Sequence, residues 1–103
     1  MKTAELTGEA LDRAVAQAMG RKDTDFGWWW DNFKPSTDWA QGGPIIERKK
    51  IELVPSVDGK VWYAESLDRK ARVERCPTPL IAAMRCYVAS KLGDEVDLPE
   101  ELA

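Results

Sequence analysis

The chain has 103 residues, 44 % of them apolar and 32 % charged, with a net charge of −3. That length fits one compact domain spanning 1–103, able to bury roughly two thirds of its unfolded surface, and the composition excludes a disordered chain. The negative balance argues against a dedicated nucleic-acid binder, and the lack of any histidine removes the commonest general acid–base group and zinc ligand.

Residues 8–19, GEALDRAVAQAM, set Leu11, Ala14, Val15, Ala18 and Met19 on the i, i+3, i+4, i+7, i+8 stripe of a surface helix. Thr7 precedes it as an N-cap, Glu9 suits its positive end, and Gly20 closes it. Residues 21–35 then read as a connector rich in aromatics. Its three consecutive tryptophans cannot share one side of a regular structure: in an extended run Trp28 and Trp30 face one way and Trp29 the other. The ordinary expectation is that one or two of them plug the core. The functional one is an exposed aromatic surface for a partner or for base stacking.

Residues 36–50, STDWAQGGPIIERKK, allow two geometries. In the first, a helix begins at Pro44 with Gly43 as its N-cap, and the amides of Gly42 and Gly43 form a nest for an anion. GGP lacks the Lys-Ser/Thr ending of a phosphate loop, so that signal is weak. In the second, Ser36 or Thr37 caps one helix, with Asp38 in its first turn, that continues through Gly42-Gly43-Pro44 to Lys50. An interior proline costs about 3 kcal/mol and each glycine about 1 kcal/mol, so this helix bends, and its glycines serve close packing.

Two short strands follow, IELVPS (51–56) and KVWYAES (60–66), joined by a turn at Asp58-Gly59. In the second, Val61 and Tyr63 face one way and Trp62 and Ala64 the other, which predicts a strand covered on both faces. ARVER (71–75) alternates as an edge strand with one wet face. PTPLIAAMRCYVASKLGDE then gives a helix with Thr78 as N-cap, Pro79 at N1 and Gly93 at its end. Residues 94–103 form an acidic, solvated tail, pinned at most by Val96 and Leu98. The expected fold is α+β, with about three helices on a small antiparallel sheet of about three strands, in the order α-α-β-β-β-α. Neither a secretory signal nor an apolar span is visible, and two widely spaced cysteines suit a reduced, cytoplasmic setting.

Two segments, PSTDWAQGGPIIERKKIEL and PTPLIAAMRCYVASKLGDEVDLPEEL, together with the first helix resemble the NinX-like proteins of temperate phages and prophages, a small family without an established function. More loosely, the order STD…IIE…W…TPL is similar to the phage ABA sandwich domain, whose helices cover both faces of a small antiparallel sheet. The tryptophan run and residues 68–75 are less typical of the NinX-like pattern. The resemblance implies a bacterial host, an α-β-α layering and one continuous helix over 36–50. It carries no catalytic residue.

Candidate functional residues fall into a few groups. Trp28, Trp29, Trp30, Trp39 and Arg48 make a candidate interaction surface, because aromatic and arginine side chains dominate interface energetics. Lys49, Lys50, Arg69, Lys70, Arg72 and Arg75 make a candidate basic patch if the two segments adjoin, with Trp29 or Trp62 as a stacking partner for single-stranded nucleic acid. Glu47, Glu52, Asp68 and Glu74 dilute it. Asp38, Glu47 and Glu52 follow no calcium-loop or glycosidase spacing. Cys86 reads as a small core residue and Cys76 as an exposed thiol with no histidine to activate it. These features predict a small non-enzymatic phage or prophage accessory protein, without a cofactor, that binds another protein or forms a homodimer through a sheet edge or the tryptophan surface. The alternative is a nucleic-acid-binding accessory protein.

Overall fold

A computed structural model describes residues 1–21 and 32–98. Trp28, Trp29, Trp30 and the end of the acidic tail lie outside the described residues. A 3-10 turn at Thr3–Glu5 leads into helix α1 (Gly8–Ala18). Helix α2 (Trp39–Lys49) follows, then strands β1 (Glu52–Pro55), β2 (Trp62–Glu65) and β3 (Arg72–Cys76), and finally helix α3 (Pro79–Leu92). The strands form one antiparallel meander with β2 in the centre, so the α+β class and the order α-α-β-β-β-α are those expected.

Helix α3 is the hub. Leu80, Ala82, Ala83, Met84, Cys86 and Val88 are all buried, leaving no wet stripe along most of its length. A helix apolar all round must have neighbours all round, and α3 does: all three strands lie against it, and α1 and α2 pack on it as well. Thr78 Oγ1 accepts the Ile81 N–H at 3.1 Å at its start, and Gly93, at φ 87°, donates to Ala89 O at its end. Helix α1 presents Leu11, Ala14 and Val15 to the core. Thr7 occupies its N-cap position, although its side chain accepts no capping hydrogen bond.

The layering departs from a two-sided sandwich. Helices α1 and α2 pack against α3, leaving one face of the sheet uncovered among the described residues. The expectation that β2 is covered on both faces is corrected accordingly. Trp62 and Ala64 turn toward the core, while Tyr63 lines an open hollow on the other side. The reason is visible in the sequence of that face: Glu52, Glu65 and Arg72 share it, and charged groups do not desolvate cheaply.

Strand β3 reaches the core through a bulge. Trp62 pairs with Cys76 and Ala64 with Val73, so β3 carries one residue more than β2 across this stretch. Strict alternation would place Cys76 on the outer face with Arg72 and Glu74. Arg75, at φ 55°, absorbs the extra residue and returns Cys76 to the core, where it is fully buried. Cys76 is therefore not the exposed thiol expected.

The termini are sewn together. Thr3 donates its N–H to Asp94 O and its hydroxyl to Gly93 O, and Val96 donates to Met1 O. Val96 is buried and Leu98 packs on the core, so the acidic tail is structured at least to Leu98. Arg85, which reads as a polar position on α3, is also buried. It donates from Nε to Leu6 O at 2.8 Å and from Nη1 to Cys76 Sγ at 3.5 Å, tying the segment before α1 to the centre of the fold.

Candidate functional site

Helix α2 runs unbroken through Gly42, Gly43 and Pro44, which is the one-helix geometry. Its cap is neither Ser36 nor Thr37. Asp38 Oδ1 accepts the Ala40 N–H at 3.0 Å, and Gln41, three residues on, donates to Asp38 Oδ2 and to Asn32 O while accepting the Lys34 N–H. The Asp38 carboxylate is thus the cap, and the Gln41 side chain ties it to the loop that enters the helix, while the Asp38 N–H is donated to Lys34 O. Only one glycine of the pair is needed for close approach. A Cβ on Gly42 would run into the Pro35 carbonyl and lie 2.6 Å from Leu80 Cδ2, whereas one on Gly43 would meet nothing within 4 Å.

The glycine pair consequently sits inside a helix and not at its start. The Gly42 N–H is donated to Asp38 O at 2.8 Å, so it does not point at an anion. Trp39, 55 % exposed, and Arg48, also exposed, lie on this helix about two and a half turns apart, which sets them on opposite faces. The structure does not bring these two together.

Two residues of the candidate basic patch, Arg69 and Arg72, are engaged by carboxylates of their own sheet. Lys49 and Asp68 line one hollow of about 310 Å³, so the two basic segments do adjoin. Arg69 Nη1, however, stands 2.8 Å from Glu65 and 3.1 Å from Glu52, and these carboxylates hold its guanidinium charged, with its pKa above the ordinary value. Arg72 Nε lies 3.2 Å from Glu74. Arg75 sits in the bulge near the far end of β3. Trp62 packs on the core, so it offers no free ring to a base. Asp38 is a cap and Glu52 an ion-pair partner, in keeping with structural roles for both.

The two turns of the meander are the same turn built twice, in SVDGKV (56–61) and SLDRKA (66–71). Ser56 and Ser66 each donate their hydroxyl to the aspartate two residues on, at 2.6 and 2.8 Å. Asp58 and Asp68 each accept the lysine N–H two residues further, at 3.0 Å in both. The Ser56 hydroxyl and then the Lys60 N–H hold the Asp58 carboxyl below the usual range, and the Lys70 N–H and then the Ser66 hydroxyl do so for Asp68. The residue after each aspartate, Gly59 or Arg69, has positive φ. The repeat was legible in the sequence, but its substitution of Arg for Gly disguises it. Each turn leaves an apolar residue in water, Val57 fully exposed and Leu67 at 69 %.

The open sheet face is the feature that motif reading missed. Val54 and Tyr63 lie side by side on it, with Glu52, Glu65 and Arg72 in the adjoining row and Val57 exposed at the turn beyond, and together they line a hollow of about 400 Å³. Val54 remains 46 % exposed in a position that strand periodicity alone assigns to one face without saying which. The signal available was the charge: in register, Glu52, Glu65 and Arg72 all fall on the same side as Val54 and Tyr63.

Both thiols are inert by placement. Cys86 Sγ faces Ala71 O at 3.7 Å, and burial pushes its pKa up to about 12. Among the described residues no group of three or more His, Cys, Asp or Glu side chains is placed to hold a metal ion.

Compared with known families, residues 2–91 match the family model of bacteriophage P22 NinX. The chain belongs to the NinX family. The match runs across the tryptophan connector and residues 68–75, so these less typical stretches lie within it. A comparison with curated proteins gives no match. NinX membership establishes a phage protein and leaves its role to be argued from the surface. Among the described residues, no NinX helix is long and apolar enough to cross a membrane.

Proposed function

We propose that this NinX-family chain is a non-enzymatic phage accessory protein that acts in the cytoplasm of the host by binding another protein through the open face of its sheet. The observation that carries this reading is the hollow over Val54 and Tyr63, uncovered among the described residues, with Glu52, Glu65 and Arg72 in the adjoining row. Exposed apolar side chains next to charged ones suit a protein partner. The face is favoured over the sheet edges. Pro55 removes an N–H from β1 and the Arg75 bulge distorts β3, two devices that blunt strand-to-strand pairing. The glutamates that engage Arg69 and Arg72 weigh against nucleic acid as the partner. The lack of histidine weighs against acid–base catalysis.

Affinity capture from infected-cell lysate, with wild type, Val54→Asp and Trp39→Ala side by side, tests the reading. A protein recovered with wild type and Trp39→Ala, and lost with Val54→Asp, is the expected result. Equal recovery with Val54→Asp would remove the sheet face from the account.

A further inference from the structure

The open face carries a charge layout that matches its own copy. Glu52 lies opposite Glu65, and Glu65 opposite Arg72, so one row across the sheet reads acid, acid, base from the β1 edge to the β3 edge. The neighbouring row sets Val54 beside Tyr63, with Glu74 next to Arg72 on β3 as a further acid of this face. The middle acid is already compensated, since Arg69 reaches Glu65 at 2.8 Å.

We infer that this face packs against the same face of a second copy, about a two-fold axis parallel to β2; the inference rests on reading the face as a protein-binding surface. Under that axis β1 of each copy lies over β3 of the other. Glu52 then meets Arg72 of the second copy, and by symmetry the contact is made twice. Tyr63, on the central strand, meets its own counterpart. A group on the axis faces itself, which suits an aromatic ring and disfavours a lone charge. Glu65 also lies on that line, and it brings Arg69 with it.

The present partners do not oppose the exchange. Arg69–Glu52 and Arg72–Glu74 are exposed pairs, of a kind that contributes little to stability. Size sets the strength of association. Strands of four, four and five residues offer a face well below the ~800 Å² per partner of a standard stable interface, even with Val57 added. The dimer is therefore weak and concentration-dependent.

Sedimentation equilibrium of the full chain from about 1 μM to about 1 mM covers the range in which such an interface would show. Wild type, Glu52→Arg, Arg72→Glu and the double reversal are compared, with circular dichroism of each as the folding control. Expected are a reversible dimer for wild type, an about tenfold or greater weakening for each single reversal, and recovery in the double variant. If a reversal unfolds the chain, Glu52→Gln and Arg72→Gln remove the pair without adding a charge and are expected to weaken the dimer. A monomer at every concentration, or a dimer indifferent to all of these changes, would overturn the inference. A monomeric wild type whose captured partner is lost with Val54→Asp would overturn self-association alone and leave the binding face standing.

Discussion

Asp12 Oδ1 accepts the backbone N–H of Ser36 at 2.9 Å, joining α1 to the loop that leads into α2. Both residues are buried, and Asp12 is an acid on the otherwise apolar side of α1. Burial raises its carboxyl pKa above the ordinary 3.8, against the lowering effect of Ser36 and Lys34. An acid whose folded pKa is raised stabilises the fold most when protonated. Its contribution is full below the unfolded value and is lost as pH rises through the folded one. Asp12→Asn keeps the acceptor and drops the charge, so at neutral pH it should match or exceed wild type in stability, the difference shrinking on acidification. Asp12→Ala strands the Ser36 N–H and should cost about 1–3 kcal/mol. Denaturant unfolding of the three proteins at several pH values checks both; a wild type that loses stability relative to Asp12→Asn on acidification would contradict the sign.

Gly42 and Gly43 are adjacent and should respond oppositely to alanine. At Gly42 the added Cβ strikes the fixed carbonyl of Pro35 and Leu80 Cδ2. Overpacking of this kind costs about 1–3 kcal/mol, more than the ~1 kcal/mol that alanine returns in helix propensity. At Gly43 the space is open, and Gly43→Ala should stabilise by up to ~1 kcal/mol. Thermal melts of the two single variants decide it, and a stabilised Gly42→Ala would refute the close α2–α3 contact.

Arg69 occupies the position that Gly59 holds in the twin turn, with φ 65° against 74°. Removing its side chain loses the same two ion pairs whichever small residue replaces it. Glycine accepts the left-handed backbone and alanine resists it. Arg69→Gly should therefore melt at a higher temperature than Arg69→Ala, and equal melting temperatures would show that the turn does not hold this conformation.

Cys76 and Cys86 are free and buried, and the raised pKa of Cys86 keeps it a thiol at physiological pH. A thiol-reactive chromogenic disulfide should label neither in the native protein and both after denaturation. Rapid labelling of the folded protein would mean that the sheet–α3 interface opens readily.

What the sequence makes legible follows from how local each signal is. The stripe on α1 and the cap, proline and closing glycine of α3 are read within a few residues, and those helices stand where expected. The α2 cap was also local. Asp38 carries it, but the adjacent Ser36 and Thr37 are capping types too, and composition does not say which of three neighbours takes the position. The Arg75 bulge was harder, because nothing in ARVER marks which residue is extra until Cys76 is seen to face inward. The layering was not legible. An apolar strand face and an apolar helix each ask for a neighbour, but the pattern does not say that α3 satisfies all of them and leaves the Val54–Tyr63 side open. The interaction surface centred on Trp28, Trp29 and Trp30 falls outside the described residues, and of its other members Trp39 and Arg48 face apart.

The proposed function requires that the NinX sheet face over Val54 touch a protein in the cell. A photoreactive benzophenone amino acid at position 54, compared with one at the exposed position 9 on α1, tests it most directly. In irradiated infected cells a discrete protein adduct is expected from position 54 and none from position 9. No adduct at 54, or the same adducts from both positions, would contradict it.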